Sequence, residues 1–213
     1  MLLLDQIADK NLTKESLFKI VEQDFALVPL LLEGLASSKP AIRYTCARVL
    51  VDLSEHYPEN LYAYIHEFFN LLNNDFRILK WNGLSIIANL ATVDINNVFD
   101  DNFDRYFSLM NDGYMVTVAN LVGFSSKIGL AKPYLANRIA RELLKIENIA
   151  LTPHLTEECK RVIAQQSIDT FDQLFNLLDR KLKVEVLDFV KKYLESSRPH
   201  LREKAKTFVL RWG

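Results

Sequence analysis

Four histidines, two cysteines and twenty-seven acids are the groups in this 213-residue chain that could do chemistry, and their spacing ties none of them together. His56, His66, His154 and His200 are scattered, with no HExxH pair to set two imidazoles on one helix face and no cysteine partner at metal-ligand spacing. The stretch Gly123 to Gly129, GFSSKIG, brings serine, lysine and glycine together but lacks the spacing of a phosphate-cradling loop. It reads instead as the middle of a helix whose small residues permit close packing. No acid is tied by spacing to a nucleophile or to a second acid, and a general acid or base needs a placed partner. The expectation is therefore a chain with no catalytic residue, no cofactor and no metal site.

The elements that would have to position any functional side chain are helices, and they repeat. Leu35 to Leu53, LASSKPAIRYTCARVLVDL, recurs without a gap as Leu194 to Trp212, LESSRPHLREKAKTFVLRW. Leu35, Ser37, Ser38, Pro40 and Arg43 return as Leu194, Ser196, Ser197, Pro199 and Arg202. Each copy reads as a helix end, a tight corner and a second helix. Ile42, Cys46, Val49, Leu50 and Leu53 fall on one stripe of a 3.6-residue period, as do Leu201, Ala205, Phe208, Val209 and Trp212. Ser38 or Ser37 would cap the second helix, with proline in its first turn, where a missing N–H is tolerated.

Composition sets the bounds. Hydrophobic residues make up 49% of the chain, enough for a core, and six glycines with six prolines are too few for many strands and tight turns. The opening Met-Leu-Leu-Leu-Asp is far too short an apolar run for a signal peptide, and no stretch reaches the roughly 18 apolar residues of a membrane span. Cys46 and Cys159 suit reduced thiols used as small core residues. Together these predict a soluble, cytoplasmic, all-α protein.

In chain order, residues 1–23 read as an N-terminal cap, with an apolar segment from Leu2 to Ala8 and a helix capped by Thr13. Five repeat units follow, at 24–57, 58–94, 95–131, 132–179 and 180–213, within a single helical-repeat domain. Pro29 should bend the first helix of the first unit. In the second unit Gly83, Ile86, Ile87 and Leu90 take the places of Cys46, Val49, Leu50 and Leu53. The apolar run from Val116 to Phe124 allows more than one register in the third. In the fourth, after an insertion between Glu147 and His154, Leu155, Cys159, Val162 and Ile163 stand at a uniform offset of 113 from Ile42, Cys46, Val49 and Leu50.

The segment ALVPLLLEGLASSKPAIRYTCARVL resembles the HEAT repeats and their armadillo-like relatives in its leucines around a helix proline, its polar corner residue, its aliphatic-arginine pair and its small-then-large core positions. The likeness covers about residues 24 to 213. The family's corner aspartate corresponds to Ser37, Asn74, Asp112 and Ser196, and its arginine to Arg43, Lys80 and Arg202, with Val118 interrupting the series. The resemblance implies an alpha-alpha superhelix of stacked helix pairs, a HEAT/ARM-like solenoid whose second helices line a concave surface used mostly for binding proteins and sometimes nucleic acid. The residues support stacking on their own account, because a pair with one apolar stripe on each helix must lie against another pair to bury both.

Positions flanking the core stripe would then rise in register along one face. Tyr44 maps to Trp81, Thr45 to Asn82, Arg48 to Ser85 and then Arg161, and Asp52 to Asn89 and then Gln165. Tyr44, Arg48, Trp81, Asn82, Asn89 and Arg161 form the candidate partner-binding set, since aromatics beside arginines and amides compose many binding patches. The competing reading packs Tyr44 and Trp81 between repeats with only their polar atoms wet. Residues 180 to 213 hold ten basic against four acidic residues, and such a basic end could draw a phosphate backbone or an acidic protein. Two functions remain in view: a non-catalytic scaffold holding a protein segment, and a nucleic-acid-binding protein resembling the HEAT-like alkylpurine DNA glycosylases. The second lacks an aspartate aligned with Trp81 and an arginine, and the whole chain carries a net charge of −1.

Overall fold

A computed structural model describes residues 3–9 and 11–213; Met1, Leu2 and Lys10, and with Leu2 the start of the apolar segment read from the sequence, lie outside the described residues. The chain is 80% helical, and among the described residues the only bridge-type pairing is the isolated one between Thr152 and Leu155. It divides into two compact units, Met1–Asn102 and Phe103–Gly213.

The first unit holds α1 (Leu3–Ala8), α2 (Lys14–Gln23), α3 (Val28–Leu35), α4 (Pro40–His56), α5 (Pro58–Leu61), α6 (Ile65–Leu71), α7 (Arg77–Leu90) and α8 (Val98–Asp101). α2 begins where the Thr13 hydroxyl accepts from the Ser16 amide at 3.2 Å, and it buries Leu17 and Val21. Pro29 does not bend a long helix. A 3₁₀ turn over Phe25–Leu27 comes first, and Pro29 then stands in the first turn of α3, where it removes no hydrogen bond the helix needs. α3 packs on α4, α6 on α7, and α4 on α7. The predicted stripe is buried in both second helices: Ile42, Cys46, Val49, Leu50 and Leu53 in α4, and Gly83, Ile86, Ile87 and Leu90 in α7. Gly83 is dictated by this approach, since a Cβ there would lie 3.0 Å from Leu71 Cβ and 3.1 Å from the Phe68 carbonyl oxygen.

The corner residue works differently from the predicted helix cap. Ser37 Oγ accepts from the Lys39 amide at 3.2 Å, while Lys39, at the cap position itself, makes no side-chain bond. Asn74 Oδ1 accepts from Phe76 N at 2.9 Å, and Ser196 Oγ from Arg198 N at 3.3 Å. In all three the side chain closes a small turn just before the helix, which aims the chain and leaves proline's fixed φ, or Arg77, to start the helix.

The second unit holds α9 (Phe103–Phe107), α10 (Met115–Ala131), α11 (Ala136–Leu144), α12 (Glu157–Leu174), α13 (Arg180–Lys191) and α14 (Pro199–Trp212). α10 lies on α12, α12 on α14, α11 on α13, and α13 on α14. α10 settles the open register with Thr117, Val118, Leu121, Val122, Ser125, Ser126, Ile128 and Gly129 inward, so Val118 does stand where Arg43 stands in α4. GFSSKIG is the middle of this helix, as read. A Cβ at Gly123 would lie 2.4 Å from Gln166 Nε2 and one at Gly129 2.7 Å from Leu174 Cδ2. The Thr170 hydroxyl donates to the Val122 carbonyl at 2.9 Å across the same contact.

The fourth-unit register is one helical turn out. Leu155 is not helical. It pairs with Thr152 through amide–carbonyl bonds of 3.0 and 3.1 Å, and the Thr152 hydroxyl donates to the Gly113 carbonyl at 2.6 Å. The insertion thus packs back on the corner before α10, with the His154 and Tyr114 rings stacked at 4.3 Å. α12 starts after Thr156, whose Oγ1 accepts from Cys159 N at 3.3 Å. Its buried residues Ile163, Ala164, Ser167, Thr170 and Phe171 stand 117 places after Cys46, Ala47, Leu50, Leu53 and Ser54. Arg161 therefore corresponds to Tyr44, and Gln165 takes the place of Arg48.

Candidate interaction surface

In α4 the buried residue beside the candidates is Arg43. Its Nη1 donates to the Ser37 carbonyl at 2.8 Å, and its Nη2 lies 3.4 Å from the Tyr44 hydroxyl. Tyr44 is half-buried, as are Trp81 and Asn82 on the neighbouring α7. Arg48 is exposed, and among the described residues nothing pairs with its guanidinium. With Thr45, Ala41, Lys14 and Thr13 it lines a hollow of about 460 Å³ beside the start of α2. Tyr44, Arg48, Trp81 and Asn82 thus stand on two stacked helices of one unit.

Two candidates depart from the predicted surface. Asn89 is buried, and its Nδ2 donates to Ser54 Oγ at 2.8 Å. Ser54 in turn donates to the Val51 carbonyl at 2.7 Å, so the amide serves the contact between α4 and α7. A position one turn further along a helix that leans on its neighbour falls inside the contact, which an offset count does not register. Arg161 lies in the second unit, half-buried, with its Nη1 2.7 Å from Glu158.

The basic stretch is not a field of free cations. Arg198 meets Glu158 at 2.7 Å and Gln165 at 3.2 Å. Lys204 pairs with Asp169, Arg211 with Asp172 at 2.6 Å, and Lys192 with Glu147 at 2.8 Å. The Arg161 and Arg198 hydrogen bonds hold the Glu158 carboxyl below its ordinary pKa. The acids lie 35 to 45 residues earlier in sequence, so the charge count of the stretch alone misses them.

A second hollow of about 330 Å³ in the first unit has no signal in the sequence reading. Phe18, Glu22, His56 and Tyr57 line it, brought together from α2 and the end of α4. Only the aromatic run His56-Tyr57 at a helix end could have marked it. The buried Cys46 thiol is pushed up to a pKa of about 12 by loss of water. Among the described residues no group of three His, Cys, Asp or Glu is placed to hold a metal, and no helix is long and apolar enough to cross a membrane.

The stacked pairs with buried stripes on both helices define an armadillo/HEAT-like α-solenoid fold. Comparison with solved structures agrees: a designed armadillo repeat protein, YIII(Dq)4CqI, superposes with a TM-score of 0.60 over 99% of this chain and 90% of its own, at 15% identity. An engineered protein, target OR329 of the Northeast Structural Genomics Consortium, gives a TM-score of 0.51 over 97% and 86%, also at 15% identity. No family model and no curated protein sequence matches the chain.

Proposed function

We propose that the chain is a non-catalytic scaffold that holds a segment of a protein partner against α4 and α7 of its first unit. The observation that carries this reading is Arg48: an exposed guanidinium, unpaired among the described residues, on the wall of an open hollow that Glu15 and Lys14 also line. It stands one helical turn after half-buried Tyr44 on α4, with half-buried Trp81 on α7, which packs on α4. A guanidinium in that setting offers a bidentate site to a carboxylate or to backbone carbonyls, and Tyr44 and Trp81 supply apolar area at low entropic cost. Similarity to repeat proteins is compatible with this role. The double substitution Arg48→Ala, Trp81→Ala is expected to abolish partner capture from a lysate while leaving the helical circular-dichroism signal unchanged. Undiminished capture would reject the surface.

Phosphate recognition is the less favoured reading, because carboxylates of α12 and its flanks meet the cations of α14. The expected result on an immobilised DNA duplex is retention that does not change between low and moderate salt. A steep loss of retention with salt would reverse the preference.

A further inference from the structure

The aromatic hollow of the first unit is built like a receptor for a soft cation, and we propose that it binds a methylated ammonium head group. Three rings surround it. The Phe18 and His56 centroids are 5.9 Å apart, Phe18 and Tyr57 6.4 Å, and His56 and Tyr57 6.3 Å. The centroids therefore form a nearly equilateral triangle, and a cation several ångströms above its centre stays inside the roughly 6 Å reach of all three rings at once.

Two of the three rings, Tyr57 and His56, are held by neighbours rather than free to swing. Phe25 packs edge-on against Tyr57 at 5.4 Å, and the Tyr57 hydroxyl donates to Glu22 Oε1. His56 Nδ1 lies 2.8 Å from the Asp52 carbonyl oxygen, which fixes the imidazole plane.

The charge around the rings has the complementary sign. Glu15, Glu22 and Asp52 line the hollow against Lys14 and Lys19, one more carboxylate than ammonium. Lys14 already places its ammonium 2.8 Å from Asp52 Oδ2, so a protein cation is drawn to the same rim. An anion is repelled there, and a small hard cation would give up more hydration than ring faces return. A methylated ammonium is weakly hydrated and presents methyl groups to the rings, so it satisfies both the apolar walls and the acidic rim.

The test uses the full chain, titrated by calorimetry at constant ionic strength with choline chloride and with its neutral isostere 3,3-dimethylbutan-1-ol. Choline is expected to saturate and to bind at least about fivefold more tightly than the alcohol. Phe18→Leu should weaken choline by about fivefold or more, and His56→Ala, at an exposed position, by about threefold, the second variant covering any loss of folding in the first. Lys14→Met should tighten binding by removing the competing ammonium. Equal binding of choline and the alcohol, no saturation by either, or indifference to both ring substitutions would each overturn the proposal. A short peptide carrying one trimethyl-lysine separates the two sources of such a head: tighter binding than choline assigns it to a protein, weaker binding to a small molecule.

Discussion

The guanidinium carbon of Arg43 lies 3.7 Å from the centroid of the Phe76 ring. Arg43 belongs to one helix pair and Phe76 to the corner of the next, and the same guanidinium donates to the Ser37 carbonyl of its own corner. One buried cation thus ties two successive corners together. Arg202, at the equivalent place in α14, keeps the bond to its own corner, Ser196, at 3.1 Å.

Arg43→Ala should cost about 2–4 kcal/mol, combining a charged hydrogen bond with a desolvated cation–π contact. Urea unfolding measures it. A double-mutant cycle with Phe76→Ala should return a coupling of about 1 kcal/mol; additivity would mean that the ring contact contributes nothing.

Gly34→Ala should destabilise by about 1–3 kcal/mol, because the new Cβ would lie 2.4 Å from Cys46 Sγ and both residues are buried. Cys46→Ala in the same background should recover part of that loss, since it removes the sulfur. Thermal melts of the two single variants and the double would show whether the two sites couple.

Stability should fall at alkaline pH. Burial holds the Cys46 thiol at about 12, and Tyr193, beside Glu147 and Glu157, is also pushed up to about 12, first by burial. Below the ordinary values of roughly 8.5 and 10, both states keep these protons and pH has no effect through them. Between those values and about 12 the unfolded chain releases protons that the folded chain retains. Stability then declines with rising pH, by at most about 1.4 kcal/mol per unit for Cys46 and by less for the partly exposed Tyr193. Urea midpoints from pH 8 to 10 should fall in the native chain and stay flatter in Cys46→Ala.

Asn89→Ala should act on stability rather than on binding. Removing the amide leaves buried Ser54 without its donor and should cost about 1–3 kcal/mol. Partner capture at a temperature where the variant is folded should match the native chain, whereas Arg48→Ala should lose capture without loss of stability.

The helices and their inward faces were legible in the sequence because a stripe of apolar residues at 3.6-residue spacing is a local property. Ile42 to Leu53 and Leu201 to Phe208 declare their buried side whatever lies against them. The small residues of GFSSKIG were legible for the same reason. The register of α12 was not. Leu155 continues the apolar spacing, but its pairing with Thr152 and the tie from Thr152 to Gly113 hold it outside the helix.

What the sequence alone determined is the repeating helix pair, its polar corners and the absence of any spaced catalytic set. Tertiary structure decided which flanking residues face water. Asn89 turned inward because α7 leans on α4 at that turn, whereas Arg48 faces the hollow beside α2 with no ion pair among the described residues, the Asp52 carboxylate one turn along being taken by Lys14. Likewise the basic tail met its counter-charges, and Phe18 met the His56-Tyr57 pair, only when distant segments stacked. Periodicity records the angle of a side chain about its own helix axis, whereas exposure and charge pairing depend on what a second helix brings to that angle.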